Sequence, residues 1–530
     1  MDNLTTNELE KKWNSSCKLI FNQEIGDMNS YEHWLTELVE PINYHKSSLS
    51  GKDVISAPNG YSKESKWLAF DEVDFNKKFE PLNINEIKDI DSLVQAISER
   101  WYYSGNIFFG NSAYIEKSSN INDSFYIFKS ARFGNSKYLA HCTIGRQNQE
   151  CFGCNVISES KNCIKCYRSF RNSRSFELWM SQNCSGCYYS FGLNGCIDCI
   201  FCFNVESRRQ SIGNLTLERD KYISIKSKLL EEIAEKLQKD RRLISLLEII
   251  DKVPHKGLRF SNKDGINERN NINKNKIENA FSQTTSTLFS KKLEGIDDYS
   301  DYLNRHIRIT KKYSSAFSGD DLFIPDYANY SRLPKERLLS SGEAHTHSKT
   351  VQIKPNDLEN LNLDNVHEKI GRMCFFNAEM FEGTNLNMIE CAVSVDSADC
   401  YRSSVTEYSK HCGYSFWPRS SQYLFGCDSP FDSSFCINCY SCTSLIRCFE
   451  VDCSGYCSDL YFGHNCENVR DSMFCFNVKN LRNAIGNVPL QSDSYKKIKV
   501  MLQNQIHDEL QSKKFLEWDI YSLNRGGRHG

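Results

Sequence analysis

The sequence predicts a mainly β protein with helical flanks, a tandem duplication of a module built on a short β-solenoid with coils of about 21 residues. Three observations predict it. One half of the chain matches the other, cysteines recur at a fixed period inside each half, and apolar residues take helical spacing on either side of the cysteine region.

The duplication is read from independent matches. Leu19-Ile20-Phe21, Ile25, Tyr31 and Leu35 fall on Thr287-Leu288-Phe289, Leu293, Tyr299 and Leu303, displaced by 268. Cys202-Phe203-Asn204-Val205 and Ile212-Gly213-Asn214 fall on Cys475-Phe476-Asn477-Val478 and Ile485-Gly486-Asn487, displaced by 273. The modules are placed at 14–250 and 282–520, with a linker at 251–281. The stretch Pro254 to Lys276, rich in Asn and Lys, reads as a solvated connector.

The coils are placed at about 104–205 and 377–478. Cys142, Cys163 and Cys184 are 21 apart, as are Cys166 and Cys187; the second module repeats the spacing at Cys391 and Cys412, Cys427 and Cys448, and Cys436 and Cys457. Each period holds Ser, Asn, Cys, Tyr and Phe and few helix formers, so short strands with polar corners are expected, stacking at about 4.8 Å. Four such coils would make a rod about 20 Å long. Before them, Ile87, Ile90, Val94, Ile97 and Trp101 recur at helical steps. After them, amphipathic helices at about 218–238 and 491–511 are expected to cover the open edge of each stack.

Composition narrows the class. At 530 residues the chain exceeds the size at which one core stops growing, and 40% hydrophobic with 25% charged residues is a globular composition. Lys plus Arg is 65 against 67 Asp plus Glu, which argues against the basic face that nucleic-acid binding needs. The first residues lack a signal-peptide pattern, and no apolar run approaches the roughly 20 residues of a membrane span. A cytosol-like compartment, or a virion, is expected.

With 24 cysteines and no export signal, reduced thiols or metal ligands are expected rather than disulfides. Cys163-x2-Cys166-x17-Cys184-x2-Cys187 has zinc spacing, and Cys436-x2-Cys439-x13-Cys453-x3-Cys457 is a looser version. The competing reading is a ladder of buried thiols filling an interior too narrow for larger side chains, with no cofactor. His141-Cys142 and His411-Cys412 are a duplicated pair, each with a tyrosine three residues earlier; neighbours on a strand face opposite ways, so a coil corner is expected rather than a nucleophile and its base. Glu343-Ala344-His345-Thr346-His347 is expected in a surface loop. No phosphate loop, zincin helix or nucleophile elbow is present.

The units Asn162-Cys163-Ile164-Lys165-Cys166-Tyr167 and Asn183-Cys184-Ser185-Gly186-Cys187-Tyr188, and the closing runs Cys202 to Leu229 and Cys475 to Leu502, resemble uncharacterised cysteine-rich repeat proteins of uncultivated bacteria and phages. The resemblance implies a repeat scaffold. The expected function is a non-enzymatic structural or scaffold protein that offers its duplicated surface to a protein partner or to self-assembly, as in a virion. The alternative is a zinc-binding protein with structural four-cysteine sites, an enzyme or a nucleic-acid binder.

Overall fold

The structure is a computed structural model and describes residues 4–57, 60–253, 273–327, 329–377 and 379–523. It is rich in strands, and its largest sheet has sixteen, nearly all parallel, in an order that almost closes like a barrel.

The backbone explains that sheet. From Tyr114 onward, residues at steps of three have positive φ: Lys117, Asn120, Asp123, Tyr126 and so on to Gly213, with the same pattern from Asp396 to Gly486. A corner every third residue turns the chain through four short sides before it meets itself. Strands therefore pair in parallel with strands one circuit of twelve on: Lys137 with Gln149, Gln149 with Lys161, and Lys161 with Ser173. In the second half Ser458 pairs with Arg470 and Arg470 with Arg482. Left-handed backbone suits Asn and Gly better than other residues. Many corners carry them, as at Asn120, Asn135, Gly153, Asn162, Asn183, Gly192 and Gly195.

The coil length expected from the cysteine spacing is corrected by this pairing to a register of twelve. Each side sends one residue inward, so inward positions recur at every third residue: Ile121, Ile127, Phe133, Leu139, Cys142, Cys151 and Cys154 all share that phase. Twenty-one is a multiple of three but not of twelve, so cysteines at that spacing share the interior without stacking on one another. Cys151 and Cys163 are true vertical neighbours. Pairings at this register run from Ala113 to Ile212 and from Leu386 to Ile485.

The narrow interior also explains its composition. Large residues alternate with Ser, Cys or Asn, whose side chains bond the neighbouring circuit. Ser124 Oγ donates to Asn122 O (2.7 Å) and accepts the Ser136 N–H (3.0 Å); Cys142 Sγ accepts from Cys154 N (3.4 Å), and Cys154 Sγ from Cys166 N (3.3 Å). At Gly145 a Cβ would lie 2.4 Å from Ile157 O. Each stack ends on an asparagine that imitates the next strand. Asn214 accepts from Phe203 N (2.8 Å) and donates to Phe203 O (3.2 Å), and Asn487 does the same to Phe476 (2.9 and 2.7 Å).

The helices Arg219–Asp240 and Ser492–Lys513 follow the two stacks. Tyr222, Leu229, Ile233 and Leu237 share a core with Trp13, Trp34 and Phe176, so the first helix lies beside the N-terminal helix Leu4–Phe21. The helix Ile90–Ile97 buries Ile90, Leu93, Val94 and Ile97. Of the expected linker, residues 254–272 lie outside the described residues, and the helix Lys274–Phe289 begins within its other end. The segment expected as a loop around His345 and His347 is a helix, Ser341–Thr350; Ser340 and Glu343 form a capping box at its start, a Ser-x-x-Glu signature present in the sequence. No described helix is long and apolar enough to cross a membrane.

The two halves exchange segments. Val54, Trp67, Ile90, Trp101 and Tyr103 belong to the core of the second stack, with Phe449, Phe474 and Phe476. Reciprocally, Leu322, Tyr330, Leu338, Ile353 and Phe376 belong to the core of the first, with Phe176, Phe191 and Phe203. Matching bonds fasten both joints: Asn477 Nδ2 donates to Tyr102 O (2.6 Å), and Asn204 Nδ2 to Phe375 O (2.8 Å).

Candidate functional site

The eight cysteines expected as zinc ligands do not gather. All 24 cysteines are buried and unpaired. Cys163, Cys166, Cys184 and Cys187 run in file inside the first stack, and Ser175 stands between the levels of Cys163 and Cys187. Cys436, Cys439 and Cys457 occupy the same phase in the second. Among the described residues, only Cys453 falls in a group of three metal-ligating side chains with donor atoms within 4.8 Å of one another. Cys453 differs because it occupies a corner, with φ of 47°, and points out of the file.

Burial without a cation pushes many of these thiols up, Cys457 and Cys475 to about 12 and Cys442 and Cys466 well above their ordinary value. All 24 lie buried, so a thiol reagent is expected to reach essentially none of them in the folded protein and all of them after unfolding in urea. Rapid reaction of several before any loss of far-ultraviolet circular dichroism would contradict the file.

The group around Cys453 is Asp452, Cys453 and His464, all buried. Asp452 Oδ2 accepts from Tyr61 Oη (2.6 Å) and His464 Nδ1 (2.8 Å), and Oδ1 from Tyr521 Oη (3.0 Å) and Cys453 Sγ (3.3 Å). The Nε2 of His464 accepts the Ser104 N–H (2.8 Å), which fixes the proton on Nδ1. Burial pushes the Cys453 thiol well above its ordinary range, and Asn120 Nδ2 lies 3.1 Å from its sulfur. Both imidazole nitrogens and both carboxylate oxygens are engaged, and the imidazole proton goes to Asp452 rather than to the thiol. Held in this way, the residues make a polar joint between the exchanged segment and the second stack. No local motif marks this cluster. Comparison of the halves does, because the counterparts in the first half are Trp179, Met180 and Phe191.

His141 and Cys142 point opposite ways, as the strand rule requires: Cys142 is in the file and His141 is a corner packed edge-on to Phe128. Burial brings His141 down to about 4 against the pull of Glu32, and neither ring nitrogen has a hydrogen-bond partner. The unfolded chain takes up this proton below its ordinary value of 6.5 while the folded chain resists until about 4, so the contribution to stability is present above pH 6.5 and lost as pH falls toward 4. Urea midpoints are expected to show a loss of about 2 kcal/mol between pH 7 and pH 5 that His141→Phe removes. An unchanged pH slope in that variant would refute the assignment. His411 is not equivalent in environment; it is only partly buried, 3.8 Å from Asp399.

Between the two stacks lies a polar cavity of about 370 Å³, lined by Glu40, Arg132, His306, Arg308, Asp428 and Tyr440, among others. Arg308 sits over the rings of Tyr327 and Phe416 (5.3 and 4.9 Å) and donates to Asp428 Oδ2 (2.5 Å) and to Glu40 Oε1. These two carboxylates hold its guanidinium above its ordinary range although burial works against them. Glu40 and Arg308 are displaced by 268, as Leu19 is from Thr287 and Tyr31 from Tyr299, so matching positions of the two halves meet each other here.

No family model, no curated protein and no solved structure matches the chain.

Proposed function

We propose that the register of twelve is the pitch of a β-solenoid, that the two halves are duplicated copies of one module, and that the chain is a non-enzymatic scaffold: two rigid solenoids locked at a pseudo-twofold axis and offering their outer rows to a protein partner or to further copies in an assembly. The observation that carries the reading is the reciprocal exchange of segments about the Glu40–Arg308 contact. Two related units bring the same position together only where their symmetry axis passes, so that contact is the axis and its charges are the lock. Exchange fixes the two stacks against each other without a flexible hinge, as a scaffold requires. Support for a recognition surface comes from outward aromatic rows at the circuit register. Tyr114, Tyr126 and Tyr138 stack with ring centroids 4.6 and 5.1 Å apart, and Tyr423 and Phe435 stack at 4.5 Å beside His411. Ordered, partly exposed tyrosines bind at low entropic cost.

A photo-crosslinking side chain placed at Tyr126, in the organism that makes the protein, tests it. A discrete protein adduct is expected from that position, absent from a control placed on the helix surface at Lys496 and lost when Tyr114 and Tyr138 are both changed to Ser. The same diffuse pattern from both positions would reject the reading.

A further inference from the structure

We propose that a cavity at the joint between the first stack and the segment it receives from the second half is a binding site for a small monocarboxylate with an apolar body, held by Arg168. The proposal is independent of the scaffold reading. The cavity, of about 450 Å³, has a size ordinary for small-molecule sites.

Arg168 is a corner residue of the first stack and only 3% exposed. Among the described residues its guanidinium has no ion-pair partner, and its Nη1 has no hydrogen-bond partner. A buried cation in that condition is costly unless something else completes it. The rings of Phe170 and Tyr330 flank it at 5.5 and 5.6 Å, which holds the guanidinium at the cavity wall. Asn204 supplies a second unfinished group in the same cavity. Its Nδ2 is tied to Phe375 O, its Oδ1 has no partner, and Gly192 leaves the space that a Cβ, 2.7 Å from that oxygen, would close.

The other joint shows what a filled version looks like. At the displacement of the closing runs, Ser441 is the counterpart of Arg168, and Asn477 that of Asn204. There the Asn477 Oδ1 accepts from Ser104 Oγ (2.6 Å) and Asn465 Nδ2 (2.8 Å), and Tyr61, Tyr103 and His464 pack beside it. The first joint therefore keeps an unpartnered acceptor that the second satisfies, and an arginine where the second has a serine.

The walls choose the ligand class. Met180, Leu193 and Phe381 give an apolar body somewhere to lie. Glu206, Glu379 and Glu382 also line the cavity, so one arginine faces three carboxyl groups and a dianion such as phosphate is disfavoured. A single carboxylate can take two parallel N–H bonds from the guanidinium edge. Its apolar remainder displaces water from the Met180 side.

The test uses the full chain with benzoate, its neutral isostere benzamide, and inorganic phosphate, titrated by ligand-observed NMR. Benzoate is expected to bind, benzamide at least tenfold more weakly, and phosphate more weakly than benzoate. Arg168→Met is expected to lower benzoate affinity at least tenfold while still unfolding cooperatively in urea, because the guanidinium has no ion pair to lose; a merely structural arginine would cost stability and leave benzoate affinity unchanged. Should that variant fail to fold, Ser341→Trp, at an exposed lining position, is expected to block the cavity and give the same loss. No benzoate binding, unchanged binding in either folded variant, or tighter binding of phosphate would overturn the assignment.

Discussion

Inserting one alanine between Ser136 and Lys137 is expected to unfold the first stack, whereas inserting a second copy of residues 137–148 at the same point is expected to leave it folded. The reason lies in phase. With a corner at every third position, a single insertion moves each later side chain onto the next position of its side. Tyr138, His141, Gln147, Glu150, Lys165 and Arg168 would take the inward slots now held by Leu139, Cys142, Asn148, Cys151, Cys166 and Ser169. Several unpaired charges in a file too narrow for water cost more than the roughly 5–15 kcal/mol by which a domain is stable. A whole added circuit restores both the inward phase and the faces, and lengthens the stack by one level of about 4.8 Å. The cost falls on packing that straddles the insertion, with the helix Leu4–Phe21 and with Glu37, Glu40 and Tyr327, which must shift by one circuit. A copy of residues 137–157, as long as the cysteine spacing, is the informative intermediate: it keeps the inward phase but turns everything downstream by three of the four sides. Urea unfolding followed by circular dichroism should rank the copy of 137–148 as most stable, the copy of 137–157 next and the lone alanine last. A lone alanine as well tolerated as the whole circuit would sink the register.

Arg308→Met is expected to cost about 3–5 kcal/mol, the largest effect of any single substitution at the contact between the halves, because it leaves Glu40 and Asp428 as buried anions with their shared cation removed. Each carboxylate is about 15% exposed or less, so water cannot replace the guanidinium. The triple variant Arg308→Met, Glu40→Gln, Asp428→Asn is expected to recover most of the loss, since both anions are then neutral and only the longer Arg132–Glu40 pair (3.9 Å) is given up in addition. Equilibrium unfolding of the parent and the two variants decides it. If the single and triple variants are equally destabilised, the cost belongs to lost packing over Tyr327 and Phe416 and the lock is not electrostatic.

Part of this architecture is written in the residues. The closing runs Cys202 to Val205 and Ile212 to Asn214 recur as Cys475 to Val478 and Ile485 to Asn487. In the structure they do the same work: Asn204 and Asn477 reach the exchanged segments, and Asn214 and Asn487 finish the strand edges. The apolar spacing that predicts helices near 218–238 and 491–511 corresponds to Arg219–Asp240 and Ser492–Lys513. The helix around His345 is also legible, in Ser340 and Glu343, although the His-x-His spacing draws the eye to a loop. The zinc spacing misleads for a definable reason: Cys-x2-Cys is what consecutive inward positions look like when every third residue turns a corner, with no need for the sulfurs to converge.

By itself, the sequence determined which side chains face inward, because a narrow interior admits only Cys, Ser and a few larger apolar residues, and those recur in one phase. It left the circuit length open, since spacings of 12 and 21 are both multiples of three and only backbone hydrogen bonds between distant residues select one. Nor does any local signal say that the described residues of 43–105 and 310–377 cross to the opposite stack: a segment's apolar face is equally satisfied by either of two related partners. The choice, and with it the meeting of Glu40 with Arg308 and the open joint at Arg168, is made by long-range packing.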